Sequence, residues 1–215
     1  MLKVQPDISV ITICCNRLEY TARTVASVTS AMGQCSYEYL VVNSASEDGT
    51  RQWLDYICKL PYYKRVKPIH LHSNTGMMDA FSAGVVAASS DLVLMTDNDI
   101  LVHSENVGDK ILRSGKPYGM SDFIERQRNR RTEYVSFPVA FFYMRKRHFV
   151  FGMNIPDDYQ TLNMRFFVHK DIVCEHIDGA DANDYSKPSM SKIKYPMGVI
   201  YRGRKKSLPA SNFKV

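Results

Sequence analysis

The feature that most narrows the choice of fold is an alternation running through the amino-terminal half. Short apolar runs closed by polar residues alternate with segments whose apolar side chains recur at helical spacing. Ile8-Ser9-Val10-Ile11-Thr12-Ile13-Cys14 is rich in β-branched residues and ends at Asn16-Arg17. Leu18, Ala22, Val25, Val28 and Met32 then mark one buried helix face. Tyr39-Leu40-Val41-Val42 reads as a second strand, ending at Asn43-Ser44-Ala45-Ser46. A helix over 48–58 follows, with Ser46 or Asp48 as its cap and Trp53, Leu54 and Ile57 facing inward. A third strand over 66–72 ends at Ser73-Asn74-Thr75-Gly76, and 77–89, rich in Ala and Met, is a third helix. The fourth strand, 91–96, closes on Asp97-Asn98-Asp99. Such alternation requires parallel strands joined by right-handed crossovers, with all the polar ends at one edge. In an open α/β sheet, ligands bind at that carboxyl edge.

Two carboxylates one residue apart at a strand end suit a divalent cation that also holds phosphate oxygens. The same triplet also reads as a solvated turn, because Asp and Asn are turn residues. Three earlier strand ends converging on the same edge favour the ligand reading. No GxGxxG follows the first strand and no GxxxxGK[ST] occurs, which excludes a dinucleotide Rossmann site and a P-loop.

Farther along, Ser104 is expected to cap a helix over 105–113, broken by Gly115-Lys116-Pro117. Gly119-Met120-Ser121-Asp122 reads as a strand. Arg126, Arg128, Arg130 and Arg131 form a charge run, read as a solvated loop or as a loop over the site that meets phosphate. The aromatic run 135–144 contains Pro138, which predicts an edge strand or a bulge. A short helix is expected through Leu162, Arg165 and Phe166, and a last strand over 172–176, ending in His176. The basic residues Arg202, Arg204, Lys205 and Lys206 lie in a weakly patterned tail expected to be solvated.

The 215 residues suffice for one sizeable core, and 45% apolar with 23% charged residues is ordinary for a globular domain. A net charge of +6 suits an anionic ligand but is too small to imply nucleic acid. The five cysteines are unevenly spaced with no CxxC pair, so reduced thiols in a cytoplasmic setting are expected rather than disulfides or zinc, with Cys14 and Cys15 in the core. No apolar run approaches the ~20 residues of a membrane span. The expectation is a soluble protein with at most peripheral membrane contact.

These segments resemble the family-two glycosyltransferases of GT-A fold, which carry a DxD motif and are mostly inverting and metal-dependent. The resemblance covers roughly 7–178. It rests on the opening strand with Asn16-Arg17, on Val41-Val42-Asn43-Ser44-Ala45-Ser46-Glu47-Asp48-Gly49-Thr50, on Asn74-Thr75-Gly76 with Ala80 and Gly84, and on Asp97-Asn98-Asp99. It extends to 137–158, with Arg145, Phe149, Gly152 and Asp157-Asp158. Asn43 stands where the family usually has Asp, and Ser82 where it has Asn.

The resemblance implies one α/β domain of GT-A type over 1–215. A mostly parallel, helix-flanked sheet in 1–100 would bind the nucleotide-sugar. A mixed acceptor and catalytic half would fill 101–178, with a basic extension over 179–215. It implies sugar transfer from a UDP-, GDP- or dTDP-linked donor to a hydroxyl of a glycan, lipid-linked or protein acceptor. Thr12, Asn16, Arg17, Asn43, Ser44, Ser46, Asn74, Gly76, Asp97 and Asn98 would meet the donor. Mn²⁺ or Mg²⁺ would sit on Asp99, with Asp97 more indirect and His176 a further ligand. Asp158 or Asp157 would be the general base, a role shared with helix capping. Phe141, Phe142 and Tyr143, the arginine loop and the tail would set acceptor choice. The alternatives are a non-catalytic nucleotide-sugar or carbohydrate-binding relative and a sugar nucleotidyltransferase. The second is disfavoured because Cys14-Cys15-Asn16-Arg17 occupies the place of its Gly-rich basic loop.

Overall fold

The computed structural model describes residues 5–123, 134–135, 140–149 and 164–177. The parallel half forms as the alternation requires. Strands β1 (Ile8–Cys14), β2 (Tyr37–Ser44), β3 (Val66–Leu71) and β4 (Leu92–Thr96) are linked by helices α1 (Leu18–Ala31), α2 (Thr50–Ile57) and α3 (Met77–Ala87). The strand order is β3-β2-β1-β4, all parallel, with Cys14 beside Asn43 and Thr12 beside Thr96. Strands covered on both faces read as continuous apolar runs rather than alternating ones, and β2 and β4 are buried throughout. Leu18, Val25, Val28 and Met32 of the α1 segment are buried against the sheet, as are Trp53, Leu54 and Ile57 of α2.

Helix α3 approaches the sheet so closely that a Cβ at Gly84 would stand 2.5 Å from the Ile11 Cγ2 methyl. The role of Gly84 is therefore helix–sheet contact, not ligand approach.

After β4 the sheet turns antiparallel. It comprises, among the described residues, β5 (Ile100–Val102), β6 (Tyr118–Phe123), β7 (Tyr134–Val135), β8 (Phe141–Arg145) and β9 (Phe166–His176), with α4 (Val107–Ser114) between β5 and β6. The order continues β4-β8-β6-β9-β5, and β7 pairs with β9. Only the β6–β9 pair is parallel here.

Several expectations are corrected in this half. The strand after Pro138 is central, running between β4 and β6. Pro138 itself lies outside the described residues, so the demotion does not reach 141–145. Phe141, Phe142 and Tyr143 are buried packing residues rather than an acceptor surface, with the Phe142 ring 6.2 Å from Phe81 and 6.3 Å from Phe166. Arg165 is not helical and Phe166 opens β9, where Phe166 and Val168 turn inward at strand period. Ser104 does not cap α4; its hydroxyl accepts from the Val173 N–H at 2.8 Å, and α4 begins behind a left-handed Asn106. Strand β5 has no counterpart in the sequence reading. The arginine run, Leu162 and the basic tail lie outside the described residues.

None of the five cysteines forms a disulfide. No helix among the described residues is long and apolar enough to cross a membrane.

At the amino ends of the strands, Glu38 ties the sheet together. Its carboxylate accepts from Ser9 Oγ at 2.7 Å, the Ser89 N–H at 2.6 Å and Lys67 Nζ at 2.6 Å. Burial opposes ionisation, yet these bonds hold the carboxyl down to about 2. A folded-state value below the ordinary 4.5 adds stability above that pH and loses it as pH falls toward 2. Glu38→Gln should therefore lower Tm at pH 7 by about 5 °C, for about 2 kcal/mol after allowing for screening at the exposed Lys67. The gap to the unmodified protein should close between pH 4.5 and 2. Thermal melts at a series of pH values measure this. A pH-independent difference would deny the ionic contribution.

Candidate active site

The carboxyl ends of β1, β2 and β4 and the start of α3 enclose a crevice of about 410 Å³, within the size range of small-ligand sites. A wider groove of about 630 Å³ opens at the opposite edge, but its principal charged residues are engaged within the fold. Lys67 pairs with Glu38, and Arg65 lies over the Tyr37 ring while donating to the Cys35 carbonyl. The chemistry converges on the first.

The loop after β1 is built by a clasp from the loop after β2. Asn16 and Arg17 both adopt left-handed backbone, with φ of 59° and 60°. Ser46 Oγ accepts the Asn16 N–H at 2.7 Å, and Asn16 Oδ1 accepts the Glu47 N–H at 2.8 Å. Asp48 serves two helices with one carboxylate. Oδ2 accepts the Leu18 N–H of α1 at 2.8 Å, while Oδ1 accepts the Thr50 N–H of α2 at 3.1 Å and the Thr50 hydroxyl at 2.6 Å. Neither helix has a side-chain cap from its own N-cap residue, so Asp48 supplies orphan-donor partners to both.

This clasp aims Arg17 at the acidic triplet. Its Nη1 donates to Asp99 Oδ2 at 2.9 Å. Asn98, expected at the donor, donates from Nδ2 to the Thr21 hydroxyl at 3.0 Å and so ties the triplet to α1. The Asp97 N–H donates to the Ala140 carbonyl at 3.0 Å, tying it to the antiparallel half as well. Burial, and then the Asp99 charge, push the Asp97 carboxyl well above the usual carboxylate range, with Arg17 acting in the opposite direction. One guanidinium against two carboxylates leaves the cluster short of positive charge. Hard oxygen donors in that condition fit a divalent cation shared with phosphate. No group of three His, Cys, Asp or Glu side chains gathers to hold a metal among the described residues. His176 is brought beside the triplet by pairing with Ile100, and its ring stacks on Phe123 at 4.9 Å.

The expected donor residues divide cleanly. Arg17, Ser44, Asn74, Gly76, Asp97, Asn98 and Asp99 line the crevice. Asn74 is pre-set: its Oδ1 accepts from Ser44 Oγ at 3.3 Å and from the Gly76 N–H at 3.1 Å. Gly76 is needed for its backbone, φ 88° and ψ 170°, because a Cβ there would meet nothing within 4 Å. Thr12, Asn16, Asn43 and Ser46 do not line the crevice. Thr12 is fully buried, its hydroxyl 2.8 Å from that of Tyr39. Asn16 and Ser46 are occupied by the clasp. Asn43 is buried, with Oδ1 accepting the Ser46 N–H and Nδ2 donating to His70 Nδ1 at 3.2 Å. His70 in turn bonds Asp55 through Nε2 at 3.0 Å. Asp157 and Asp158 lie outside the described residues.

The sequence reading missed Ile13, Cys14, Cys15, Met77 and Ala80, which also line the crevice. Met77 and Ala80 stand one turn apart at the start of α3, a spacing that was available as a signal. Cys15, expected in the core, is half-buried at the crevice. Burial and the charges of Asp48 and Glu47 raise its thiol above the ordinary value, which disfavours the thiolate. The crevice thus offers apolar wall at one side and a carboxylate–guanidinium cluster at the other. A ligand with an uncharged planar part and an anionic part meets both.

A model of glycosyl transferase family 2 matches residues 9–173. Among solved structures, the mannosyltransferase PcManGT from Pyrobaculum calidifontis, in complex with GDP-Man and Mn²⁺, is similar at 15% identity and a TM-score of 0.64, covering 84% of this chain and 59% of that one. TarS 1-349 from S. aureus in complex with UDP-GlcNAc is similar at 15% identity and a TM-score of 0.60, covering 81% and 61%. The chain therefore spans about three-fifths of the length of these structures. Their fold is the GT-A fold, and this sheet matches it. A search of curated proteins finds no match.

Proposed function

Since the chain belongs to glycosyl transferase family 2, we propose that it moves a sugar, with inversion, from a nucleoside-diphosphate sugar to an acceptor hydroxyl. The observation that carries this reading is the pairing, in one crevice, of an apolar wall with the Arg17–Asp99–Asp97 cluster at the carboxyl ends of parallel strands. The nucleoside would lie against Ile13, Met77 and Ala80, and the diphosphate toward Arg17 and Asp99. The two solved relatives carry GDP-Man and UDP-GlcNAc, which supports a UDP or GDP donor, with dTDP retained.

Asp99, with Asp97 behind it, would hold Mn²⁺ or Mg²⁺. When bound, the ion would neutralise charge on the departing diphosphate. Asp158, with Asp157 as its neighbour, is proposed as general base. It takes the acceptor proton while the acceptor oxygen bonds to the anomeric carbon and the diphosphate leaves with the electron pair of the broken bond.

Thermal shift against UDP-, GDP- and dTDP-sugars, with and without Mn²⁺, tests the reading. One nucleotide series should raise Tm by several degrees in the presence of Mn²⁺, since a ligand at one hundred times its Kd stabilises by about 2.7 kcal/mol. Absence of a shift with every nucleoside diphosphate would overturn it.

A further inference from the structure

Three side chains run in line from α2, across the edge strand β3, to the loop after β2. Asn43 and His70 stand opposite each other in the parallel β2–β3 register. Asn43 Oδ1 accepts the Ser46 N–H at 3.0 Å, and its Nδ2 lies 3.2 Å from His70 Nδ1. On the far side of the ring, His70 Nε2 lies 3.0 Å from Asp55 Oδ1. Asn43 is 2% exposed and the His70 side chain 15%, against 51% for Asp55.

This row of bonds has one consistent polarity. A main-chain N–H only donates, so the Asn43 atom facing Ser46 is the oxygen, and the atom facing His70 is the NH₂ nitrogen, a donor. His70 Nδ1 must then accept. The ring proton sits on Nε2 and is donated to Asp55. A second proton would go to Nδ1 and set N–H against N–H. The buried amide would either leave its NH₂ without an acceptor or turn over and withdraw Oδ1 from Ser46. Asp55 favours the added charge, but at its exposure that attraction is screened. The other charged or titratable groups on the surrounding elements are Arg51 on α2, Lys67 and His72 on and after β3, and Glu47 and Asp48 in the loop. Lys67 is engaged by Glu38, and Asp48 by the starts of α1 and α2.

What Asn43 holds is part of the crevice frame. Ser46 Oγ accepts the Asn16 N–H, joining the loops after β1 and β2. Cys15 and Ser44, which flank that join, line the crevice, and Ala45 between Ser44 and Ser46 is held left-handed at φ 54°. A non-glycine residue keeps that conformation only where its surroundings impose it.

We propose, resting on the transferase reading, that His70 is a positioning residue: its neutral Nε2–H form locks Asn43 and the β2 loop, and a proton gained at Nδ1 unlocks the loop and weakens nucleotide-sugar binding. Affinity is then full where the ring is neutral and is lost as pH falls through its titration. By linkage, a bound nucleotide-sugar opposes protonation of His70 by the same factor.

Two measurements on the full chain test this. In NMR spectra without ligand, His70 should show the Nε2–H tautomer at about pH 8, and the Ser46 amide signal should move in step with the ring as pH falls to about 5.5. Isothermal titration with UDP-glucose and GDP-mannose, at constant Mg²⁺, then compares the same two pH values. Affinity for the one that binds should fall about tenfold. Asp97, raised by burial in the same crevice, adds its own pH dependence, so the readout is the difference between proteins. His70→Asn keeps an acceptor at the Nδ1 position and does not titrate; it should match the unmodified protein at the higher pH and lose about threefold or less at the lower. Asn43→Asp gives the protonated ring an acceptor and should likewise flatten the fall, which carries the test if His70→Asn does not fold. An Nδ1–H tautomer, a Ser46 amide indifferent to the ring, or the same fall in all three proteins overturns the proposal, while sugar-nucleotide binding leaves the transferase reading standing. If neither sugar nucleotide binds at either pH, both fall.

Discussion

Asp99→Asn should weaken Mn²⁺-dependent nucleotide binding sharply while leaving the protein folded. The amide still accepts a hydrogen bond from Arg17 but carries no charge, so the cluster loses its claim on a second cation. The expected loss is on the order of 100-fold in nucleotide affinity in the presence of Mn²⁺, about 2.7 kcal/mol. Transfer should fall at least as far. Isothermal titration with UDP and GDP, with and without Mn²⁺, measures it. Unchanged affinity would remove Asp99 from the site. Asp158→Ala is the natural contrast. If Asp158 is the base, that variant binds nucleotide normally and loses transfer by about 10² to 10⁴.

Asp48→Ala should be the most damaging of the single changes for stability. One carboxylate satisfies the first N–H groups of α1 and α2 and the Thr50 hydroxyl. Each cap is worth about 1 kcal/mol, so the loss should reach about 2–3 kcal/mol, a fall in Tm of roughly 5–10 °C for a chain of this size. The damage should also reach the crevice, since Leu18 follows directly on the left-handed Arg17. With that N–H released, the turn that directs the guanidinium keeps its bonds at Asn16 but loses the one that follows Arg17 directly. Asp48→Asn keeps one acceptor and should be intermediate. Thermal melts of the two variants, together with their Mn²⁺ and nucleotide affinities, separate the effects. A melt unaltered by Asp48→Ala would show that the shared cap contributes nothing.

The parallel half was legible in the sequence because its two signals agree. β-branched apolar runs and 3.6-residue periodicity are both local, and burial on both faces leaves no polar interruptions to confuse them. The antiparallel half was less legible because its decisive contacts are distant. Phe166 opens a strand only because it lies beside 134–135 and 118–123, and Ser104 is taken by Val173 instead of the nearer helix. The same division runs through the site. Asp97 and Asp99 announce themselves by type and place. Asn16, Asn43 and Ser46 are the same polar types at the same edge, yet their hydrogen-bonding groups are spent on each other and on His70. Sequence places a polar side chain at a strand end but does not say whether it faces the ligand or the neighbouring loop.

The junction between β4 and β8 sets an order of assembly. The pairs β1–β2, β2–β3 and β1–β4 involve only residues 8–96. The other edge of β4 has no partner until Phe141–Arg145 has been synthesised. A nascent chain emerged only as far as α4 thus presents the open edge of Leu92–Thr96, an apolar template for wrong pairing between chains. The crevice waits on the same event. The main-chain N–H of Asp97 is anchored by Ala140, which immediately precedes β8, so this tie on the backbone of the acidic triplet forms only when the late half of the chain docks.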